Sequence, residues 1–282
     1  MRKPIIVLQT DFSNTWSAVA TMKGVIKTVD PELEILDLTH DIRKFDPFEA
    51  SLSLVTSEPY WPKGTIFVSV VDPTVGSARR ASVALLNDGN IVISPDNGSL
   101  THLKREVGIA EIREIHKEIR FPAKEEVSVF HGRDIFAYAA ALLAGGQKSF
   151  EEIGEKYDVA EVVECELANM RPQLKQREVS GIIFTGLKHY GGVEINVTNE
   201  EFHRCGFTEG EMVDVTICFQ GKEVFHRPVR FDHSFSCVAL KEPILYCGSS
   251  RYLSLDCNQD SFMERYQIDF GMDWTISIRG EK

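Results

Sequence analysis

The chain contains no uncharged apolar stretch of about 18 residues, so no membrane-spanning helix is predicted. It has no C-x-x-C pair, and its six cysteines (Cys165, Cys205, Cys218, Cys237, Cys247 and Cys257) all fall in the second half. With no secretion signal in view, free buried thiols are expected instead of disulfides or zinc ligands. Positive charge is also short. A formal net charge of -11 lacks the basic face that a phosphate backbone requires, which argues against nucleic acid as a partner. It suits a cationic or neutral ligand better. No internal repeat or low-complexity segment is visible. The opening "MRKPIIVLQTDF" combines basic residues with a short apolar run, but Asp11 interrupts that run after about six residues and no small-residue cleavage site follows. It reads as a first strand, and a cytoplasmic protein is expected.

What is present is ordinary for a globular protein: 43% apolar and 26% charged residues over 282 positions, enough for one or two domains. The first 150 residues alternate strand-like and helix-like segments. "PIIVLQTDF", "EILDLT" and "GTIFVSVVD" read as strands. "WSAVATMKGVIKTV" carries helical spacing, and "DPFEASLSLVTSEPYW" opens on an Asp46 cap with Pro47 at the first helical position. "ASVALLNDGNIVISPDNG" predicts a hairpin turning at Asp88-Gly89. "HGRDIFAYAAALLAGG" predicts a helix ended by Gly145 and Gly146. From about Arg177 short strands replace helices: "EVSGIIFTGL", "GGVEINV", "EMVDVTICF", "PILYCG", "YLSLD" and "DWTISI". The expected architecture is an α/β N-terminal domain with a mostly parallel sheet over residues 1–160, a linker over 161–177, and a smaller, mostly antiparallel β-barrel-like domain over 178–282.

Ligands of open α/β sheets bind outside the carboxyl ends of the strands. Asp11, Asp72 and His131 are the candidates there. In "VVDPTVGSARR" a Gly76-containing loop can return Arg79 toward the Asp72 carboxylate, and an Asp beside an Arg stays ionised. His131 precedes a helix whose N-terminal dipole disfavours the imidazolium. On residues alone the plainer readings stay open. Asp-Pro after a strand is ordinary turn chemistry, His131 can cap or pack, and Arg133 can pair with Asp134 on the surface. "PDNG" is a turn signal. Metal binding by His40, Asp72 and His131 is disfavoured because these residues lack ligand spacing.

Taken in order, "TDF", "MKGVI", "DLTHDI", "FDPFEA", "VVDPTVGSARR", "SPDNG" and "FHGRDIFAYAAALL" resemble the S-adenosyl-L-methionine (SAM) hydroxide adenosyltransferases, adenosine-forming SAM hydrolases related to fluorinase and chlorinase. The resemblance spans nearly the whole chain, strongest over residues 5–145 and thinner after 178. It implies a water-activating triad of Asp72, Arg79 and His131, where halogenating relatives carry tyrosine in place of Asp72. It implies Asp11 as acceptor of both ribose hydroxyls, and further substrate contacts at Phe45, Asn97, Tyr190, Asn196, Ser249 and Arg251. The implied reaction is attack of water on the ribose C5′ carbon of SAM, giving adenosine and L-methionine. SAM enters as substrate, with no cofactor and no metal. The implied assembly is a homotrimer with sites at subunit interfaces and the C-terminal domain binding adenine.

Other positions depart from the family pattern. Ser13 replaces the glycine of "TDFG", and Trp16 and Ala18 stand where relatives place acidic or hydroxyl side chains near the methionine end. The D-x-F-G-N pattern appears as "KHYGG", Lys188 to Gly192, so the Asp and the adenine-reading Asn are both lost. Tyr190 retains a ring for stacking, and Lys188 is a candidate for the methionine carboxylate. The alternatives are a relative acting on another 5′-substituted adenosine, a non-catalytic adenosine-binding protein and, behind these, a metal-dependent hydrolase.

Overall fold

The computed structural model describes residues 3–122, 129–187 and 189–280. The chain divides into two compact units, residues 1–168 and 169–282.

The first unit is built on seven strands: β1 (Ile6–Thr10), β2 (Ile35–Thr39), β3 (Ile66–Val70), β4 (Ala81–Leu86), β5 (Ile91–Pro95), β6 (Ile109–Ile115) and β7 (Gly154–Tyr157). They run in the order β2-β1-β3-β5-β4-β6-β7. β2, β1, β3 and β5 are mutually parallel, and β4, β6 and β7 extend the sheet by antiparallel pairing. Every residue of β1 and β3 is buried, as a strand covered on both faces must be, and this explains their largely apolar runs. The helices are α1 (Ala18–Val29), α2 (Pro47–Ser57), α3 (Thr101–Glu106) and α4 (Tyr138–Ala144), the last preceded by a π-helical turn over Gly132–Ala137. Buried Ala137, Ala139, Ala140, Ala141 and Ala144 lie in one core with Met22 and Ile26 of α1 and with Ile6, Leu8 and Val68 of the sheet. Such small side chains let helix backbones approach closely. Asp46 caps α2 by accepting from the Glu49 N–H at 3.0 Å, and Gly89 turns the β4–β5 hairpin at φ +98°.

The connecting stretch 161–177 is not a bare tether. Glu161 pairs with Arg80, Glu164 with Lys104 at 2.8 Å, and the Cys165 N–H donates to Thr101 Oγ1 at 2.9 Å. Its end forms β8 (Gln173–Lys175), which pairs with β9.

The second unit continues with β9 (Glu178–Leu187), β10 (Gly192–Thr198), β11 (Glu211–Phe219), β12 (Lys222–Phe231), β13 (Pro243–Cys247), β14 (Tyr252–Cys257) and β15 (Trp274–Gly280). Short helices α5 (Asn199–Arg204) and α6 (Phe262–Tyr266) interrupt them. The order β10-β14-β13-β12-β11-β15-β9, with β9 also pairing β10, closes a seven-stranded barrel. All its pairings are antiparallel except β12–β13. Inward Val213, Val215 and Ile217 alternate with outward Asp214 and Thr216, and the interior is filled by aliphatic side chains together with Phe202, Phe207, Phe231 and Phe262, as small barrels are.

The sequence reading passed over β12, whose Pro228 argues against a strand. β11 pairs with it along its length, but β13 meets it only at Arg230 and Phe231. At Pro228 that side of the strand has no partner needing an N–H. The β11–β12 turn places Gln220 and Gly221 at φ +49° and +78°, the arrangement that matches the strand twist.

Candidate functional site

β1 and β3 are neighbours in parallel register, so the residues just beyond their carboxyl ends come together. Asp11 and Asp72 line one cavity of about 410 Å³ with Phe12, Trp16, Lys44 and Phe45. Beyond β3 the chain turns through Val75 N–H to Asp72 O and Ser77 N–H to Thr74 O, with Gly76 at φ +82°. A side chain at that φ would be strained, and the turn brings Arg79 back over Asp72. The Arg79 Nε donates to both carboxylate oxygens at 3.0 and 3.1 Å, and Nη2 reaches Oδ2 as well. The two side chains are 8% and 6% exposed, so water screens this pair little. The guanidinium also lies 5.2 Å from the centre of the Phe136 ring, a favourable cation–π placement.

His131 joins from 52 residues away: Arg79 Nη2 lies 2.9 Å from His131 Nδ1. A guanidinium nitrogen can only donate, so Nδ1 accepts and the ring proton sits on Nε2. The ring is therefore neutral. Its pKa is lowered first by burial and then by the charges of Arg79 and Arg120; the helix dipole invoked from sequence is not needed. The helix behind it begins as a π turn, a distortion common at functional sites. A Cβ at Gly132 would lie 3.0 Å from the Phe130 ring and 3.3 Å from Phe12 and Val70. Glycine there permits the approach that brings His131 to the strand ends.

Asp11 Oδ2 accepts the Phe45 N–H at 2.9 Å. Phe45 adopts φ +65° to aim it, and its ring is 70% exposed. Burial raises the Asp11 pKa, and the Asp72 charge adds to this against the Phe45 hydrogen bond. Ser13, at the family's glycine position, does adopt a left-handed φ of +61°; its Oγ accepts from Thr15 N–H at 3.2 Å. Trp16 Nε1 donates to Phe12 O at 2.6 Å, which fixes the indole at the cavity.

Several expected residues lie elsewhere. Asn97 spends its amide on Val71 O at 2.9 Å and on Ser99 Oγ at 2.8 Å; it braces the backbone next to Asp72. His40 bonds to Thr10 Oγ1 and Asp37. Asp134, for which surface pairing with Arg133 stayed open, is fully buried with Arg133 Nε at 2.6 Å, because the π turn faces it inward. In the second unit Tyr190 rims a cavity of about 660 Å³, whereas Asn196 lines another of about 310 Å³. The Asn196 amide is used by Ile182 N–H at 2.7 Å and Met170 O at 3.1 Å. Ser249 and Arg251 belong to the turn after β13, where Arg251 takes φ +74° and its carbonyl accepts from Asn199 N–H. Lys188 lies outside the described residues. All six cysteines are free. Among the described residues, metal-capable atoms of Asp232, His233 and Cys237 converge within 4.8 Å, but Asp232 is already bonded to Arg230 and His233. Sequence reading missed Lys44 and Phe12 at the first cavity and Asp256 at the second. Lys44 and Phe12 each adjoin a residue singled out, whereas Asp256 has no local signal beyond the end of a strand.

The arrangement defines an open α/β sheet with an Asp–Arg–His cluster at its strand ends, followed by a β-barrel bearing an aromatic-rimmed cavity. The chain belongs to the SAM hydroxide adenosyltransferase family: the family's N-terminal domain matches residues 6–154 and its C-terminal domain residues 187–275. It is 32% identical over 204 residues to an (R)-S-adenosyl-L-methionine hydrolase of Methanocaldococcus jannaschii, covering 67% of this chain and 76% of that protein. It is 25% identical over 298 residues to a fluorinase of Actinoplanes sp., covering 97% of each. An uncharacterized conserved protein from Thermotoga maritima has a similar crystal structure, with a TM-score of 0.84 at 29% identity over 98% of this chain and 100% of that one.

Proposed function

We infer that this protein hydrolyses SAM to adenosine and L-methionine by attack of water on C5′. The observation that carries the reading is the continuous Asp72–Arg79–His131 set beside Asp11. The attacking oxygen forms the C5′–O bond while the C5′–S bond breaks and its electron pair stays on sulfur. A sulfonium leaves as a neutral thioether, so no acid need assist departure. Asp72, held by Arg79, orients the water and accepts its proton; Arg79 stabilises the developing hydroxide character; His131 offers Nε2–H to complete the hydrogen bonds. General-base help contributes about 10²–10⁴-fold in typical enzymes, and alignment of attack adds to it. Asp11 accepts the ribose hydroxyls, and the cavity rimmed by Tyr190, contributed by the barrel of a neighbouring subunit in the homotrimer, takes the purine against an aromatic ring. No cofactor is required.

Asp72 also selects the nucleophile. A fixed carboxylate repels halide at short range, more strongly in a dry pocket than in water, and halide must shed its hydration to sit there. Incubation with SAM in isotopically labelled water at high chloride or fluoride is expected to yield adenosine alone, with its 5′ oxygen from solvent. Chromatographic detection of 5′-halo-adenosine, or unlabelled 5′ oxygen, would show that Asp72 has been assigned the wrong task. Adenosine binding without any product from SAM favours a non-catalytic adenosine-binding protein, whereas turnover of another 5′-substituted adenosine favours a divergent relative; Trp16 and Lys44 at the first cavity make that end unlike an ammonium site. The proposal extends to a cytoplasmic homotrimer, for which light scattering should return about three chain masses; a mass of one chain, 31.8 kDa, rules it out.

A further inference from the structure

Asp256, near the end of β14, is 2% exposed yet lines the cavity of about 660 Å³ together with Tyr190, Phe235 and Gly191. Its Oδ1 accepts the Cys257 N–H at 2.8 Å. Its Oδ2 has no hydrogen-bond partner among the described residues. That oxygen opens onto the cavity and is available to a ligand. The neighbouring strand is shaped around that oxygen: a Cβ at Gly192 would lie 2.4 Å from Oδ2. The Asp256 carboxyl thus fills space that any larger residue at 192 would claim, at the position where the family pattern carries its asparagine. The aromatic rings supply apolar contact, and the carboxyl supplies an edge-on polar group. This combination suits a planar heterocycle bearing both a donor and an acceptor.

We propose that Asp256 is the base-reading residue of this protein and that it pairs with adenine as a neutral carboxylic acid. The assignment rests on the adenosyl reading above and specifies how the base is recognised. A protonated carboxyl presents one acceptor and one donor, the pattern with which an asparagine amide grips adenine through N6 and N7. Its C=O accepts from the exocyclic N6–H, and its O–H donates to a ring nitrogen. An ionised carboxylate can only accept, and would instead match the adjacent N1–H and N2–H donors of guanine.

The surroundings favour the neutral acid. Burial raises the Asp256 pKa to about 6, against the Cys257 hydrogen bond that lowers it. Around it stand Glu194 on β10, whose pKa burial also raises, and Tyr246 on β13, pushed up to about 12. Asp260, Glu264 and His189 line the same cavity, and Arg265 is paired with Asp260 at 2.8 Å. The Cys257 thiol is pushed up to about 12. The competent form prevails below about pH 6 and is lost as pH rises through that value, so apparent affinity falls with the protonated fraction.

The test is calorimetric titration of the full-length protein with adenosine and guanosine at pH 5.5 and 8, alongside a separate assay of SAM turnover. For the wild type, adenosine affinity is expected to fall about 75-fold between the two pH values, as the protonated fraction does. Asp256→Asn carries the same donor and acceptor without titrating, so it should bind adenosine at pH 8 as the wild type does at pH 5.5, with no pH dependence. Asp256→Ala should lose about tenfold at pH 5.5. A pH-independent wild type, an Asn variant no better than the Ala variant, or a preference for guanosine would each overturn the proposal. SAM turnover with pH-independent adenosine binding rejects only the role of Asp256. The expected binding pattern without SAM turnover rejects only the hydrolase reading. Failure to bind adenosine at either pH rejects both.

Discussion

Asp72→Asn is expected to slow adenosine formation by about 10²-fold or more while leaving adenosine affinity nearly unchanged. The substitution keeps the shape of the side chain and removes both its charge and its capacity to take a proton. Arg79 then loses the bidentate partner that orients it, and its Nη2 contact to His131 loosens with it. Arg79→Lys should slow turnover comparably, because a lysine ammonium cannot reproduce a planar fork bridging a carboxylate and an imidazole. It also avoids leaving the buried Asp72 without any cationic partner, a change that by itself destabilises proteins. Since the two groups act as a unit, the double variant should be little slower than either single one. Single-turnover kinetics and adenosine titration separate the two effects. Wild-type rates in both variants would show that the cluster is a structural ion pair with no part in activating water, and rate losses that simply multiply would show that Asp72 and Arg79 act independently.

Asp11→Asn is expected to weaken adenosine binding by about 10²-fold with a smaller effect on the rate at saturation. Two hydrogen bonds from a vicinal diol to a carboxylate contribute roughly 1.5–3 kcal/mol each, and each 1.4 kcal/mol is a factor of ten in affinity. Asparagine keeps an oxygen for the Phe45 N–H, so the bend at Phe45 should survive and the loss can be ascribed to the ribose. Burial and the nearby Asp72 raise the Asp11 pKa. The diol-binding carboxylate is therefore present above that raised value and lost as pH falls through it, the opposite sense to Asp256. 2′-Deoxyadenosine should bind the wild type about tenfold less tightly than adenosine, and bind Asp11→Asn no worse than adenosine does. Equal affinity of the wild type for both nucleosides would place the diol elsewhere.

Several parts of this protein are encoded in local patterns of residues. β1 and β3 announce themselves as largely apolar runs because both of their faces are covered, and each is followed closely by an aspartate. The barrel strands β11 and β15 alternate with period two because one face packs inside. Motif order carried the family, and it pointed to Asp11, Asp72, Arg79 and His131, side chains that the fold brings to the strand ends.

Other features depend on closeness through space and emerge only when the chain is folded. Pro228 hid β12, since only the strand arrangement reveals that its neighbour β13 is absent there. Asn97 and Asn196 look like ligand contacts in a string of letters, yet their amides are spent on backbone groups at Val71, Ile182 and Met170. The neutral state of His131 comes from a guanidinium 52 residues away in sequence, and Asp134 is buried by the π turn that carries it. Asp256 is the clearest case. Nothing around it in "YLSLDC" marks it as different from a turn acid, and Gly192 looks like a lost contact. The closed barrel sets the Asp256 carboxyl over Gly192, so that the space one residue gives up is taken by another from a neighbouring strand. Packing between distant segments, and the burial and electric field it creates, are properties of the folded chain that residue spacing cannot express.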